Sequence, residues 1–216
     1  RAGHLGGLRS VEDRERASAE IRTSELIIQN EKSIPMSEPK APRLTPLPED
    51  QWTGEMREMF EPTIKTFGRV FNIFTTLGRH PKLLKRWMVF ANHCLLKSSL
   101  TPRDRELVIL RAGWLSHSEY EWAQHNRIGL EAGLSQEEID RVKEGGDAAG
   151  WSDSEKALLV AVDEVLDKKN LSDTNWEALT AHYNEQQILD IIFTAGNYAL
   201  LAMALNTLGV EVDDGV

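Results

Sequence analysis

The chain is poor in cysteine and has no excess of positive charge. Its 216 residues contain one cysteine, Cys94. A single cysteine excludes an internal disulfide, a CxxC redox pair and a cysteine-based zinc finger. It fits a reducing compartment, so we predict a cytoplasmic protein. The 25 Lys and Arg residues are outnumbered by 34 Asp and Glu residues, which gives a formal charge of −9. This balance argues against nucleic-acid binding through phosphate contacts.

Strand patterns and targeting signals are also missing. No run alternates apolar and polar residues between turn residues, so we predict no sheet. The first 35 residues lack the apolar core of a secretory signal, and their acidic side chains argue against a transit peptide. We interpret residues 1–43 as an N-terminal extension, either disordered or upstream of a natural start at Met36. A tail that docks on a partner is the alternative. Residues 44–216 form one domain in this interpretation.

Helix signals are frequent in this second part. Thr101 and Pro102 form a typical helix start, and capping boxes begin at Ser135 and Ser152. Glycines such as Gly133 mark helix ends. The pattern predicts an all-α domain with helices at residues 49–67, 80–98, 102–116, 118–132, 135–144, 152–168, 173–183 and 185–207.

The last predicted helix is the most apolar segment of the chain. Its length invites a transmembrane interpretation, but Asp190, Asn197 and Asn206 interrupt it and no basic flank follows. A helix that is apolar all round is usually buried in a core or an interface. We therefore predict no membrane partner, and Gly196 with its neighbouring alanines indicates close helix packing, which fits contact between subunits.

The candidate chemistry lies between Glu106 and His125. Glu121 and His125 are four residues apart and share a helix face with Ser118. A carboxylate beside an imidazole suits general acid or base catalysis, and Trp114, Tyr120 and Trp122 offer aromatic surface to desolvate the pair. The alternatives are a solvated ion pair at Glu121 and His125, and at Glu106 a simple partner for the helix dipole.

Motifs in order along residues 72–206 carry a family resemblance. They are Asn72-x-Phe74-x-x-Leu77-x-x-His80-Pro81, Leu100-Thr-x-Arg103-Asp104-Arg105-Glu106-Leu-Val-Ile-Leu110-Arg111, Glu119-Tyr-Glu121-Trp122-x-x-His125, Gly133-Leu134-Ser135-x-Glu137-Glu138-Ile139 and Gly196-x-Tyr198. This stretch resembles the carboxymuconolactone decarboxylase family, which implies an alkylhydroperoxidase-D-like helical bundle.

The resemblance distinguishes two branches of that family. The peroxidase branch uses a Glu, two cysteines and a His, and its cysteine positions fall on Ser118 and Glu121 of this chain. Neither side chain forms a thiolate, so dithiol chemistry is not expected. The branch without the CxxC pair is similar to this chain, and it implies a decarboxylase.

The resemblance thus implies a cofactor-independent lyase or decarboxylase for a small carboxylated lactone or related ring compound. The implied catalytic residues are His125 as general acid or base, with Glu121 and Glu106 orienting or tuning it. The implied substrate-binding residues are Ser118, Trp122, Tyr198, Arg111 and His80. We predict no cofactor, no metal site, and a homotrimer or homohexamer. The alternatives are a thiol-independent remnant of an alkylhydroperoxidase-like redox protein and a non-catalytic oligomeric binding protein of the same fold.

Overall fold

The computed structural model describes residues 41–215. The predicted extension at residues 1–43 lies outside this range except for its last three positions, and so does the proposed start at Met36. The described part is helical and contains no strand, which confirms the all-α prediction.

Nine α-helices follow one another in the described residues. They are α1 (Gly54–Phe67), α2 (Asn72–Leu77), α3 (Pro81–Asn92), α4 (Pro102–Leu115), α5 (Glu119–Glu131), α6 (Gln136–Val142), α7 (Asp153–Lys168), α8 (Asp173–Thr180) and α9 (Glu185–Leu208). A 3₁₀ turn at Glu49–Gln51 precedes α1, and a π-helical segment at His93–Lys97 follows α3.

The predicted helix starts are confirmed by their caps. The Thr101 side chain accepts the amide N–H of Asp104, with Pro102 in the first turn of α4. Ser135 and Ser152 complete capping boxes with Glu138 and Glu155. Each box satisfies backbone donors that the helix itself leaves unpaired, which fixes where the helix begins.

Two predicted boundaries were wrong, and one helix was not predicted. The helix expected over 49–67 begins at Gly54, after the 3₁₀ turn. The helix expected over 80–98 ends at Asn92, and its last turn widens into the π segment. The short helix α2 was not predicted because its six residues are too few to show a helical period.

Helix α4 is the centre of the domain. Every residue from Glu106 to Gly113 is buried, and α4 packs against α5, α7 and α9. A helix surrounded in this way needs apolar side chains on all sides, which explains the continuous run from Leu107 to Leu110. The polar exceptions within it, Glu106 and Arg111, therefore require partners.

Candidate active site

Three helices bring the candidate catalytic side chains together. Helix α4 supplies Glu106, α5 supplies Glu121 and His125, and α9 supplies Tyr198. All four residues are buried. The site is therefore built inside the bundle and not on a loop.

The central contact joins His125 to Glu106. His125 Nδ1 lies 2.7 Å from Glu106 Oε2, and the exposed fractions of the two side chains are 8% and 0%. The other oxygen of Glu106 accepts a hydrogen bond of 2.9 Å from Arg105 Nε. Burial acts to raise the pKa of Glu106, but His125 and Arg105 outweigh it, so the pKa is lowered. Glu106 is ionised at neutral pH.

This charge state fixes the proton on the imidazole. An ionised carboxylate only accepts hydrogen bonds, so Nδ1 of His125 carries the proton in the contact with Glu106. The opposite nitrogen, Nε2, has no hydrogen-bond partner among residues 41–215. It remains available to exchange a proton with a ligand.

Glu121, four residues before His125 on α5, is in the opposite charge state to Glu106. Both of its carboxyl oxygens are buried and lack a hydrogen-bond partner among the described residues. Burial is the main cause that raises the pKa of Glu121 to about 8. Glu121 is therefore mostly neutral at pH 7.

The sequence paired Glu121 with His125, and that pairing was wrong. Spacing along one helix brings two side chains to the same face, but here the imidazole turns across to α4 and bonds Glu106. The neighbouring helix offers an ionised acid already held by Arg105. The expectation that residues four apart pair with each other applies to side chains on one helix, so it does not predict a contact between two helices.

Tyr198 closes one side of the site. Its ring meets the His125 ring edge to face, with centroids 5.0 Å apart and an interplanar angle of 89°. Burial raises the pKa of Tyr198 well above its usual range, and the nearby acids Glu106 and Glu121 add to the shift. The phenol therefore stays neutral.

Two further residues shape the site, and sequence reasoning missed both. Arg105 holds the second oxygen of Glu106. Gly113 on α4 faces Glu121, and a Cβ there would lie 3.5 Å from Glu121 Cβ. The sequence did contain a signal for Gly113. A glycine inside a helix destabilises that helix, so its presence in a helical pattern indicates a position where close packing leaves no room for a side chain.

The other expected substrate-binding residues already have structural partners. Ser118 caps α5 by accepting the amide N–H of Glu121 at 3.4 Å. His80 caps α3, where its Nδ1 accepts the amide N–H of Leu83. Arg111 Nε donates to Asp163 at 2.5 Å, and its Nη1 donates to the carbonyls of Val142 and Lys143 at the end of α6. Their role in substrate binding stays a prediction.

The aromatic side chains expected around the Glu121–His125 pair have contacts of their own. The hydroxyl of Tyr120 donates to Asp213. Trp122 packs against Trp114, with centroids 5.4 Å apart, and Lys143 lies over both rings. The aromatic contact of His125 is Tyr198, which comes from a distant part of the chain.

Cys94 is a buried free thiol in the π segment. Burial is the main cause that raises its pKa. Cys94 therefore packs as a small buried side chain, and its raised pKa opposes thiolate chemistry. Among the described residues, no cluster of His, Cys, Asp and Glu is suited to hold a metal ion.

Comparisons with known proteins agree with this architecture. Residues 81–164 match the Carboxymuconolactone decarboxylase family. That segment runs from the start of α3 to Glu164 in α7, and so contains Glu106, Glu121 and His125. A search of the curated proteins finds no match to this chain.

Three solved structures are similar to the described domain. A peroxidase-related protein from Ralstonia eutropha JMP134, solved as an alkylhydroperoxidase AhpD core, has 21% identity and a TM-score of 0.71, over 79% of this chain and 93% of that one. A peroxidase-related protein from Silicibacter sp. TM1040 has 17% identity and a TM-score of 0.72, over 83% and 96%. The debrominase Bmp8, solved with 2,3,4-tribromopyrrole, has 14% identity and a TM-score of 0.66, over 82% and 95%. At these identities the likeness concerns the fold. The helical domain thus has the alkylhydroperoxidase-D-like fold, and its residues 81–164 are similar to the carboxymuconolactone decarboxylase family.

Proposed function

We propose that the protein is a cofactor-independent lyase or decarboxylase for a small carboxylated lactone or related ring compound, with His125 as general acid and base. The observation that carries the proposal is the buried contact of 2.7 Å between His125 Nδ1 and Glu106 Oε2. A carboxylate in this position orients the imidazole and holds the proton on Nδ1, which leaves the far nitrogen to exchange a proton with a ligand. The similarity of residues 81–164 to the carboxymuconolactone decarboxylase family supports a related chemistry.

The proposed reaction needs a proton and a dry environment. In loss of CO₂ from 4-carboxymuconolactone, the bond from the ring to the carboxyl carbon breaks and its electron pair spreads into a dienolate. His125 Nε2 first takes a proton from solvent, which makes the ring an imidazolium, and then delivers that proton to the ring carbon of the dienolate. The transfer leaves a neutral imidazole with its proton on Nδ1, and CO₂ departs. The buried surroundings of His125 weaken solvation of the leaving carboxylate and strengthen each hydrogen bond made to it.

Glu121 has a separate role in this proposal. As a neutral acid it donates a hydrogen bond to the negative charge that spreads over the dienolate, without repelling it. Its oxygens have no partner among the described residues, so no internal contact has to be broken first. Tyr198 provides a wall that stays uncharged.

Turnover of the lactone tests the proposal. Purified full-length protein is mixed with 4-carboxymuconolactone, and CO₂ release is followed. We expect turnover in the wild type and a loss of about 10² to 10⁴-fold in His125→Ala, the usual contribution of a positioned proton carrier. His182→Ala, at an exposed position outside the site, is the matched control.

Several outcomes would contradict the proposal. One is full turnover in His125→Ala. Another is the absence of turnover with any carboxylated lactone, which would favour the non-catalytic binding protein. Peroxide turnover with a dithiol reductant would favour the redox alternative, although Cys94 has no second thiol in this sequence.

A further inference from the structure

Three buried polar groups of the candidate site have no hydrogen-bond partner among residues 41–215. They are Nε2 of His125, the carboxyl oxygens of Glu121 and the hydroxyl of Tyr198. These residues expose only 6%, 2% and 5% of their surfaces. Most buried polar groups in native proteins are hydrogen-bonded, so three unpaired groups in one site are available to a ligand.

The hydroxyl of Tyr198 is unusual for a buried phenol. Tyr120, on α5, is also buried, and its hydroxyl donates to Asp213 and accepts the amide N–H of Ile73 at 3.4 Å. Buried tyrosines usually find such partners, whereas the hydroxyl of Tyr198 has none in the described part of the chain. Its O–H group is therefore free to donate to a bound molecule.

Tyr198 lies close to both the proton carrier and the two acids. Its ring meets the ring of His125 edge to face with centroids 5.0 Å apart. Burial is the main cause that raises the pKa of Tyr198, and the charges of Glu106 and Glu121 add to it. Both acids must be near for their charges to act on the phenol. The site thus combines two uncharged O–H donors, Tyr198 and Glu121, with one imidazole.

His125 is a base in its resting state. Glu106 holds the proton on Nδ1, so Nε2 carries a lone pair and can take a proton from a ligand. The charge of Glu106 also stabilises the imidazolium that would form. A base beside O–H donors suits removal of a proton from carbon, because the donors hold the negative charge that appears on the carbonyl oxygen. Enzymes use a tyrosine hydroxyl together with a buried neutral carboxyl for this purpose.

We propose that the same site also moves a double bond in unsaturated lactones, by proton transfer through His125 without loss of CO₂, and that the Tyr198 hydroxyl is a catalytic hydrogen-bond donor in this step. The substrate class is a small lactone whose ring double bond is not conjugated with its carbonyl group. The inference rests on the role of His125 as proton carrier in the proposed function, but it does not require the decarboxylation step.

The reaction has two proton transfers. His125 Nε2 takes a proton from the ring carbon between the carbonyl group and the double bond. That C–H bond breaks, and its electron pair spreads into a dienolate whose oxygen accepts hydrogen bonds from Tyr198 and Glu121. The imidazolium then gives a proton to the far carbon of the dienolate, where a new C–H bond forms. The double bond is now conjugated with the carbonyl group, and His125 is neutral again with no co-reactant consumed.

The two activities share their intermediate. In decarboxylation the group that leaves the ring carbon is CO₂, and in isomerisation it is a proton, but each departure leaves its electron pair in a dienolate. The donors that hold the oxygen of one dienolate therefore hold that of the other. Isomerisation starts from the neutral imidazole that the Glu106 contact already maintains.

Isomerisation of α-angelica lactone tests the activity. This lactone has a non-conjugated ring double bond and no carboxyl group, so it cannot lose CO₂. The full-length chain is mixed with it in D₂O, and proton NMR follows the conjugated isomer and its deuterium content. We expect the wild type to form this isomer faster than buffer alone, His125→Ala to fall to the buffer rate, and His182→Ala, at an exposed position, to keep the wild-type rate.

Tyr198→Phe tests the hydroxyl by itself. The variant keeps the ring that packs on His125 and breaks no hydrogen bond among the described residues. We expect kcat for isomerisation to fall by about 10² to 10³-fold, the usual cost of losing one donor to a developing oxyanion. KM should change little, because this hydrogen bond strengthens only as the negative charge forms. Circular dichroism checks that each variant is folded.

Three results would overturn the inference. They are a wild-type rate equal to that of buffer, an unchanged kcat in folded Tyr198→Phe, and opening of the lactone ring without isomerisation, which would indicate a hydrolase. CO₂ release from 4-carboxymuconolactone separates the two proposals. Isomerisation without CO₂ release would support this inference and contradict the proposed function, and CO₂ release without isomerisation would do the reverse.

Discussion

Helix α5 carries two buried polar clusters that differ in how completely they are hydrogen-bonded. On one face, the Tyr120 hydroxyl and the Gln124 side-chain amide donate to Asp213 Oδ2 at 2.5 and 2.9 Å. The backbone N–H of Asn72 donates to Asp213 Oδ1 at 2.8 Å. On the other face, the carboxyl of Glu121 has no partner within the described residues. Both clusters are buried, so burial alone does not explain the difference.

The comparison separates a structural acid from a candidate functional one. Asp213 accepts three hydrogen bonds and ties the C-terminal segment to α2 and α5. A buried polar group with no partner costs stability, and native proteins keep few of them. In the proposed function, a ligand supplies the partner that Glu121 lacks among the described residues.

The largest expected effect is on the pH dependence of stability. The folded-state pKa of Glu121 is raised to about 8, whereas its unfolded value is about 4.3. Between these values the unfolded chain has released the proton and the folded chain has kept it, so the wild type loses stability as pH rises from about 4 to 8. Glu121→Gln has no carboxyl at this position and avoids the loss, which amounts to on the order of 3–5 kcal/mol in the free energy of unfolding at pH 8.

Chemical denaturation of both proteins at several pH values measures this effect. The free energy of unfolding of Glu121→Gln relative to the wild type should rise steadily with pH and level off above about pH 8. A difference that does not change with pH would show that Glu121 is already ionised in the folded protein.

The second effect concerns the partner of the imidazole. In Glu106→Gln the new side chain is neutral, so it no longer holds the proton of His125 on Nδ1 through its charge. Arg105 also loses its ionic partner. We expect turnover to fall by about 10 to 10²-fold, the usual cost of removing such a supporting group. A rate equal to that of the wild type would mean that Glu106 is only a structural acid.

The third effect is the counterpart at the structural cluster. Asp213→Asn replaces an acceptor with a group that also donates, and so opposes the donors Tyr120 and Gln124. We expect the free energy of unfolding to fall by about 1–3 kcal/mol, with turnover per folded molecule unchanged. If the free energy of unfolding of Asp213→Asn instead rose above that of the wild type as the pH increases, Asp213 would behave like Glu121. The contrast between a structural and a candidate functional acid would then be wrong.

The smallest effect is expected at the thiol. Cys94→Ala removes the single sulfhydryl of the sequence from a buried position. Turnover of the lactone should stay at the wild-type rate, and the free energy of unfolding should change by about 1 kcal/mol or less. Loss of turnover in this variant would reopen the redox alternative.

Local signals in the sequence were sufficient for most of the fold. Caps at Thr101, Ser135 and Ser152 depend on side chains three residues away, so they can be predicted without knowing the rest of the structure. The π segment at His93–Lys97 could not be predicted in this way, since it depends on how α3 ends against α9: its His93 bonds Asp190 at 2.7 Å.

The site was only partly predictable for the same reason. The motifs identified Glu106, Glu121 and His125 as members of one site, but not which acid bonds the imidazole. That choice depends on the packing of α4 against α5 and on Arg105. The Asp213 cluster joins Asn72, Tyr120 and Asp213, which lie far apart in the sequence, so no local sequence pattern predicts it.

Infrared difference spectroscopy tests the central claim, that Glu106 and Glu121 have opposite charge states around one imidazole. The spectrum of the wild type minus that of Glu121→Gln should contain the carbonyl band of a protonated carboxylic acid at pH 6. That band should disappear as the pH passes about 8, and the corresponding Glu106→Gln difference should contain only carboxylate bands. Absence of the protonated band for Glu121 at pH 6, or its presence for Glu106, would contradict the account.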